Sequence, residues 1–457
     1  MQERGSFGSK IGFIMAAVGS AVGLGNVWRF PYYTGTHGGA AFVFVYLIAV
    51  FALGIPLLMS EIAIGRASNR NPVGAFKFLA PHTNWYLIGI LGVLTGIFIL
   101  SYYSVIAGWV FGYIFIITSN KFASADEQII SQIFNTISTS PIISIALLFV
   151  IIAITVFIIS KGVQNGIERY SKVLMPLLFV LLLILAIYSL TLPNAIKGVE
   201  FYMKPDFSKI DAKVIVAALG QAFFSLSLGM GAMLTYGSYI SKKDGIFGCA
   251  LWIAISDTLV ALIAGFVIFP ALFSIEGLSP AEGPALIFKV LPVVISKMSG
   301  GLVFGTLLFI LLTIAAVTST ISLLEVGTSF LVDEYNFDRK KATYLLAAVS
   351  FALGVLSALS CGAVGFLSKL PILKIDFLSL MDIIFGNVSL ILGSLFVAIF
   401  VGYKWGIIRF FEEIESDGKV LRGKLPFGIL IRYIVPILIL IVFGNFIFET
   451  FIHYFIH

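Results

Sequence analysis

Polar residues enter this chain as short interruptions between apolar runs long enough to cross a bilayer. Runs near 10–34, 41–66, 86–118, 141–159, 166–190, 214–240, 247–273, 299–332, 342–360, 376–403 and 426–450 predict eleven membrane helices, because a hydrocarbon core of about 30 Å takes roughly 20 apolar residues per helix. Two runs are interrupted. The first carries Gly19-Ser20-Ala21-Val22-Gly23-Leu24-Gly25-Asn26, followed by Trp28-Arg29-Phe30-Pro31. The sixth carries Phe224-Ser225-Leu226-Ser227-Leu228-Gly229-Met230-Gly231. Glycine is the poorest ordinary helix former and proline cannot continue a helix, so both runs are predicted to break in mid-membrane. Lipid offers the freed amides and carbonyls no partner, which leaves bound ions and a polar solute to supply one.

Runs one to five (10–190) and six to ten (214–403) make two equal halves, each opening with its interrupted helix. An odd number of spans per half makes the second half enter from the opposite side. The expected architecture is all-α and integral to the membrane: two inverted five-helix repeats, plus an eleventh helix at 426–450. Interrupted segments in matching positions of two halves point to a transporter's binding site. Charge orients the chain. With the N-terminus in the cytoplasm, eighteen Lys and Arg residues fall inside and nine outside, as the positive-inside rule asks. The C-terminus is then extracytoplasmic. The loops 119–140, 191–213 and 274–298 face outward, the last, with Pro280, Pro284 and Pro292, predicted as a lid of short helices.

Composition agrees with this and removes other classes. Hydrophobic residues make up 59% and charged residues 11%, with mean hydropathy +1.06, against roughly 25% charged in a soluble domain. The net charge of +6 follows from the loop bias and calls for no nucleic acid. MQERGSFGSK is expected to carry no removable signal. Cys249 and Cys361 are expected as free thiols. His37, His82, His453 and His457 show no ligand spacing, and no nucleophile with a base is apparent, so an enzyme is not expected. A channel would want a continuous polar lining, whereas polar residues here cluster at the two breaks. Asp257 is the least expected residue within a span, since a carboxylate at a helix centre costs about 2.5 to 3.5 kcal/mol. Glu61, Glu168 and Glu325 read as loop or bundle polar contacts.

The stretch from Gly19 to Pro31, the Tyr102-Tyr103 pair, Gln221 to Gly231 and Thr318-Ser319 resemble, in that order, the neurotransmitter:sodium symporter family. The likeness covers nearly the whole chain, and its eleven spans resemble those of bacterial transporters of tyrosine or hydrophobic amino acids. It implies the LeuT-type fold and sodium-coupled symport of an L-amino acid by alternating access across the plasma (inner) membrane, with two sodium ions and no organic cofactor.

Transferred residue by residue, the resemblance implies one sodium at the Ala21 carbonyl, Asn26, Ser225, Asp257 and the substrate carboxylate. A second lies among the carbonyls of Gly19, Val22 and Ala315 and the hydroxyls of Thr318 and Ser319. The substrate carboxylate meets the amides of Leu24 and Gly25 and the Tyr103 hydroxyl. Its amine meets carbonyls at Ala21, Phe224, Ser225 and Ser227. Ile99, Tyr103, Phe224, Met230, Ser319 and Leu323 wall the side chain. Met230, unbranched and adaptable, suits a neutral hydrophobic or aromatic amino acid. Each residue also has a plain reading: Asn26 as a helix cap, Ser225 bonded to its own helix, Thr318-Ser319 as packing, Tyr103 as core.

Chloride-requiring relatives resemble the chain at Tyr46, Gln221 and Ser225 but carry Asn where Asp257 stands. The resemblance therefore implies chloride-independent transport, with Asp257 supplying the charge; a neutral, hydrogen-bonded Asp257 is the plain alternative. Arg29 with Asp382 is the expected outer gate and Arg4 with Asp333 the inner one. Gly166 and Pro176 mark a fifth helix that unwinds, or an ordinary proline kink. Proton coupling and a non-transporting amino-acid sensor remain as alternatives, and the oligomeric state is not legible.

Overall fold

A computed structural model of the chain describes residues 5–119, 122, 125–275, 286–371 and 374–455, with side chains described as far as Glu449. Arg4, Pro280 and Pro284 lie outside the described residues. Among the described residues every regular element is helical.

The first apolar run forms α1 (Lys10–Ala21) and α2 (Gly25–Thr36), bent by 52° where they meet. Ser9 caps α1, its hydroxyl accepting from the Gly12 amide at 3.1 Å. The helix stops at Val22, which is extended at φ −70°, ψ 108°. α2 opens in wide, π-type turns from Gly25 to Arg29. Then follow α3 (Ala40–Ser68), α4 (Pro72–Leu79), α5 (Tyr86–Ile117), α6 (Glu127–Thr139), α7 (Pro141–Ile159) and α8 (Val163–Leu190). α6 and α9 (Ala195–Met203) lie in loops that the sequence left polar.

The sixth run divides. α10 (Ala212–Ser225) has 14 residues, about 21 Å at 1.5 Å per residue, too short to span alone. Residues 226–231 are not helical, and α11 (Ala232–Gly237) follows. Three residues of that connection hold positive φ: Ser227 at 54°, Gly229 at 83° and Gly231 at 77°. At Gly229 the absence of a side chain is required twice over, since a Cβ would also collide with the Leu390 carbonyl. The longer helices that follow are α12 (Ile246–Phe273), α13 (Leu291–Lys297), α14 (Gly301–Tyr335), α15 (Arg339–Leu359), α16 (Phe377–Asp417) and α17 (Lys424–Glu449).

Among the described residues, nine helices are long and apolar enough to cross a membrane, and α1 with α2 makes ten. The chain is thus a multi-pass membrane protein. α16 runs well beyond the expected end at 403, turning at Gly406, where φ is 94°. Both cysteines are free. α14 lies along α5, α12 against α8 and α11 against α3, so the two interrupted runs sit inside a shell of long helices. In lipid such packing rests on close fit and hydrogen bonds rather than on water exclusion.

Candidate binding site between the interrupted helices

The two interruptions meet. Ser227 donates its hydroxyl to the Ser20 carbonyl at 2.8 Å, and Ser20 Oγ donates to Ser322 Oγ on α14 at 2.8 Å. A carbonyl released by the end of α1 is thereby satisfied from the other break, which explains how each stays open inside the protein. Glu61 on α3 does the same for the Gly229 amide, accepting it at 2.7 Å.

Asn26 ties the two breaks to α12. Its Oδ1 accepts from the Gly23 amide at 3.0 Å, while its Nδ2 donates to Ser225 Oγ at 3.1 Å and Asp257 Oδ1 at 2.7 Å. Ser225 Oγ donates to Asp257 Oδ2 at 2.7 Å, and Tyr46 OH reaches Ser225 Oγ at 3.4 Å. All four side chains are buried. Both oxygens of the Asp257 carboxylate therefore face neutral donors. Gln221 donates to the Gly25 carbonyl at 3.3 Å, and its own Oε1 is buried without a protein partner.

On the opposite wall, the Leu24 amide donates to the Tyr103 hydroxyl at 3.2 Å. Leu24 and Gly25 stand where α2 begins, the electropositive end of a helix and a natural seat for a carboxylate. A Cβ at Gly23 would come within 2.9 Å of Ser319 Oγ, and one at Gly25 within 2.7 Å of the Phe224 ring. These glycines let backbone, hydroxyls and ring close on one space. That space is a cavity of about 840 Å³, lined by all eleven expected substrate residues: Ala21, Leu24, Gly25, Ile99, Tyr103, Phe224, Ser225, Ser227, Met230, Ser319 and Leu323.

The expected second ion position is more closed. Gly19 packs against Thr318, where a Cβ would stand 3.2 Å from Thr318 Cβ. The Thr318 hydroxyl donates to the Ala315 carbonyl at 3.0 Å and the Ser319 hydroxyl to the same carbonyl at 3.2 Å. Both hydroxyls are thus bonded to their own helix. Ser225 is the opposite case, bonded across to α12.

Arg29 and Asp382 meet through a residue the sequence did not single out. Arg29 donates to Asn387 Oδ1 at 3.4 Å, and Asn387 Nδ2 donates to Asp382 Oδ2 at 3.3 Å. Tyr102 donates to Asp382 Oδ1 at 2.9 Å. The guanidinium sits 4.2 Å from the centroid of the Phe224 ring, a cation–π contact. Beyond this layer the cavity continues to Lys289 and Glu449. Asn387 carries no signal in sequence, lying five residues from Asp382 within an apolar run.

At the other end the described residues pack closely. Phe7 packs edge-on against Phe13, Tyr236 and Tyr239. Glu168 accepts from the Gly8 amide at 2.6 Å, Ser9 Oγ at 2.8 Å and Lys172 at 2.6 Å. Asp333 accepts from the Asn71 amide at 2.8 Å; its expected partner Arg4 is outside the described residues. Glu325 is paired with Arg339 at 2.5 Å and accepts from Tyr239 at 2.7 Å. α8 begins with wide turns over Val163–Glu168, which include Gly166, and runs helically through Pro176.

The model of the sodium:neurotransmitter symporter family matches residues 4–126 and 118–455. A sodium-dependent transporter of Bacillus subtilis, YhdH, is 38% identical over 97% of this chain and 98% of its own length. One from Haemophilus influenzae is 35% identical over 97% and 98%. The sodium-dependent serotonin transporter of Drosophila melanogaster is 29% identical over 97% of this chain and 76% of its own. Among solved structures, MhsT in complex with L-phenylalanine is 42% identical and superposes with a TM-score of 0.87, covering 97% of this chain and 100% of that one. With family-wide matches running end to end through both interrupted segments, this chain belongs to the sodium:neurotransmitter symporter family.

Proposed function

We propose that the protein is a sodium-coupled symporter that takes up a neutral hydrophobic or aromatic L-amino acid by alternating access. Transport is independent of chloride, Asp257 supplying the negative charge. The observation that carries the reading is the cavity between the two breaks, with Leu24 and Tyr103 on one wall and Asn26 and Ser225 on the other, the latter two backed by the buried Asp257 carboxylate. One wall suits a carboxylate and the other a hard cation, and both are needed for a zwitterion carried with sodium.

The substrate carboxylate sits at the Leu24 and Gly25 amides and the Tyr103 hydroxyl, its amine on carbonyls of Ala21, Phe224, Ser225 and Ser227. Its side chain lies among Ile99, Tyr103, Phe224, Met230, Ser319 and Leu323. The L-phenylalanine in the MhsT complex supports this substrate class. One sodium takes the oxygens of Ala21, Asn26, Ser225 and Asp257. The other takes Gly19, Val22, Ala315, Thr318 and Ser319, once the two hydroxyls turn from the Ala315 carbonyl. Asp257 faces only a neutral amide and a neutral hydroxyl, and a buried carboxylate without a counter-charge is costly, so a cation arriving there gains strongly. Two sodium ions entering with a zwitterion release about 4.6 kcal/mol per 100 mV, enough for a roughly thousandfold gradient.

With 212–237 counted as one interrupted span, the chain has eleven, arranged as inverted repeats over 10–190 and 214–403 with 426–450 outside them. It lies in the plasma membrane with its N-terminus inside and its C-terminus outside. Arg29, Asn387 and Asp382 close the outer side, Arg4 and Asp333 the inner. The test is uptake into proteoliposomes across a panel of labelled amino acids, with sodium replaced by potassium and chloride by gluconate in separate arms. Uptake of aromatic or branched substrates that needs sodium and ignores chloride is expected; a chloride requirement or a preference for charged substrates overturns the reading. The lack of a counter-charge at Asp257 also favours a second reading, coupling to protons, for which uptake at fixed pH would survive the loss of sodium.

A further inference from the structure

A second cavity, about 550 Å³, opens on the outer face of the bundle between α7, α8 and α14 and is walled by Ala153, Ile154, Phe157, Tyr170, Leu174 and Ile314. Its lining is almost wholly apolar, the Tyr170 hydroxyl being the polar group that keeps a proton to donate. The Thr313 hydroxyl on its wall donates to the Phe309 carbonyl of its own helix at 2.7 Å, and the Tyr170 hydroxyl accepts from Lys161 Nζ at 2.9 Å. A cavity of this kind does not hold water. Its surroundings are hydrocarbon-facing: Phe157, Val173 and Leu177 on the flanking helices are 54%, 63% and 43% exposed.

The charge at its mouth is one-sided. Lys161 stands in the short turn joining α7 to α8, at a membrane surface by necessity because both helices span. Its ammonium lies 3.7 Å from the Phe157 ring centroid and 5.2 Å from that of Tyr170. Two rings and a hydroxyl hold it, and among the described residues it has no carboxylate partner. Two nearby cations are engaged: Arg339 pairs with Glu325 and donates to the Ile159 carbonyl at 3.1 Å, and Lys172 pairs with Glu168.

We infer that this groove is a binding site for one anionic phospholipid, an acyl chain lying in the cavity and the headgroup phosphate on Lys161 and the Tyr170 hydroxyl. Charge complementarity selects this occupant: an apolar slot open to the bilayer takes a hydrocarbon chain, and a positioned, unpaired ammonium at its end takes an anion.

The test uses the full chain in bilayers with Phe157→Trp as reporter, a change that keeps the ring under the ammonium. Emission above that of the parent chain is quenched with bromine-labelled acyl chains on phosphatidylglycerol or phosphatidylcholine. Phosphatidylglycerol is expected to be preferred about fivefold, the effect of one lysine at an anionic lipid surface. Lys161→Gln added to the reporter is expected to abolish the preference. Ala153→Phe, an exposed position whose new ring fills the slot, is expected to reduce quenching by both lipids. Equal quenching by the two lipids, a preference that survives Lys161→Gln, or quenching unchanged by Ala153→Phe overturns the proposal.

Discussion

Asn26 Nδ2 lies 2.7 Å from Asp257 Oδ1, and this contact joins the first interrupted helix to α12 beneath the cavity. Replacing Asp257 by Asn keeps the shape and leaves hydrogen bonding to Asn26 and Ser225 available, while the charge is lost. Asp257→Asn is therefore expected to fold but to lose most sodium-driven uptake, with the remainder now stimulated by chloride. Proteoliposome uptake in chloride and in gluconate measures this. Parental uptake in both media would show that the carboxylate carries no role in coupling.

Tyr103→Phe removes the hydroxyl that accepts from the Leu24 amide. A hydrogen bond to a charged group is worth about 1.5 to 3 kcal/mol, so substrate affinity should fall roughly ten- to hundredfold in equilibrium binding, with melting temperature little changed. An affinity within about twofold of the parent would move the carboxylate away from this hydroxyl.

Gly25→Ala places a methyl group 2.7 Å from a Phe224 ring carbon. The ring must turn into the cavity or the break must open, and either spoils the seat for a carboxylate. Binding should be lost to a far greater extent than stability. Gly25→Ala with Phe224→Leu, which removes the obstructing ring, should recover part of it.

Asn387→Ala cuts the bridge between Arg29 and Asp382. Both hydrogen bonds of the bridge are long and part-buried, so the shift is modest and towards the outward-open form. A cysteine introduced at Ile99, within the cavity, should react faster with an impermeant thiol reagent in the Asn387→Ala background. No change in rate would leave Asn387 without a part in the gate.

Arg66 is fully buried, with Nε 2.6 Å from Glu413, Nη1 2.6 Å from the Asp244 carbonyl and Nη2 bonded to the Glu413 carbonyl and Ser416. Removing one member of a buried pair costs about 3 to 5 kcal/mol because the other charge stays behind. Arg66→Met is expected to melt well below the parent in detergent, and Arg66→Met with Glu413→Gln to regain part of the loss. Equal melting of single variant and parent would mean that solvent reaches Glu413.

The broad plan was legible because glycine and proline chemistry is local. Gly19 to Pro31 announces where a helix must stop, and the family resemblance carried by the motifs implied residues that line the cavity. Partners far apart in sequence were not legible. Arg66 counts as a loop charge by the positive-inside rule, yet Glu413, 347 positions away, draws it into the interior. Asn387 looked like one polar residue in an apolar run, and Glu168 and Glu325 stayed unassigned because Gly8, Ser9 and Arg339 become their neighbours only on folding. The extent of α16 was missed because Lys404 and Arg409 read as its end.

Glu168 stands in the opening wide turns of α8 and holds Gly8 and Ser9 with the same carboxylate. One clasp thus fastens two straps. Any loosening of α8 near Gly166 slackens the grip on the entering chain in the same stroke, and Phe7 loses the backing that keeps it among Phe13, Tyr236 and Tyr239. Were α8 to unwind near Gly166, no separate trigger would be needed to release the entering chain, because one carboxylate holds both.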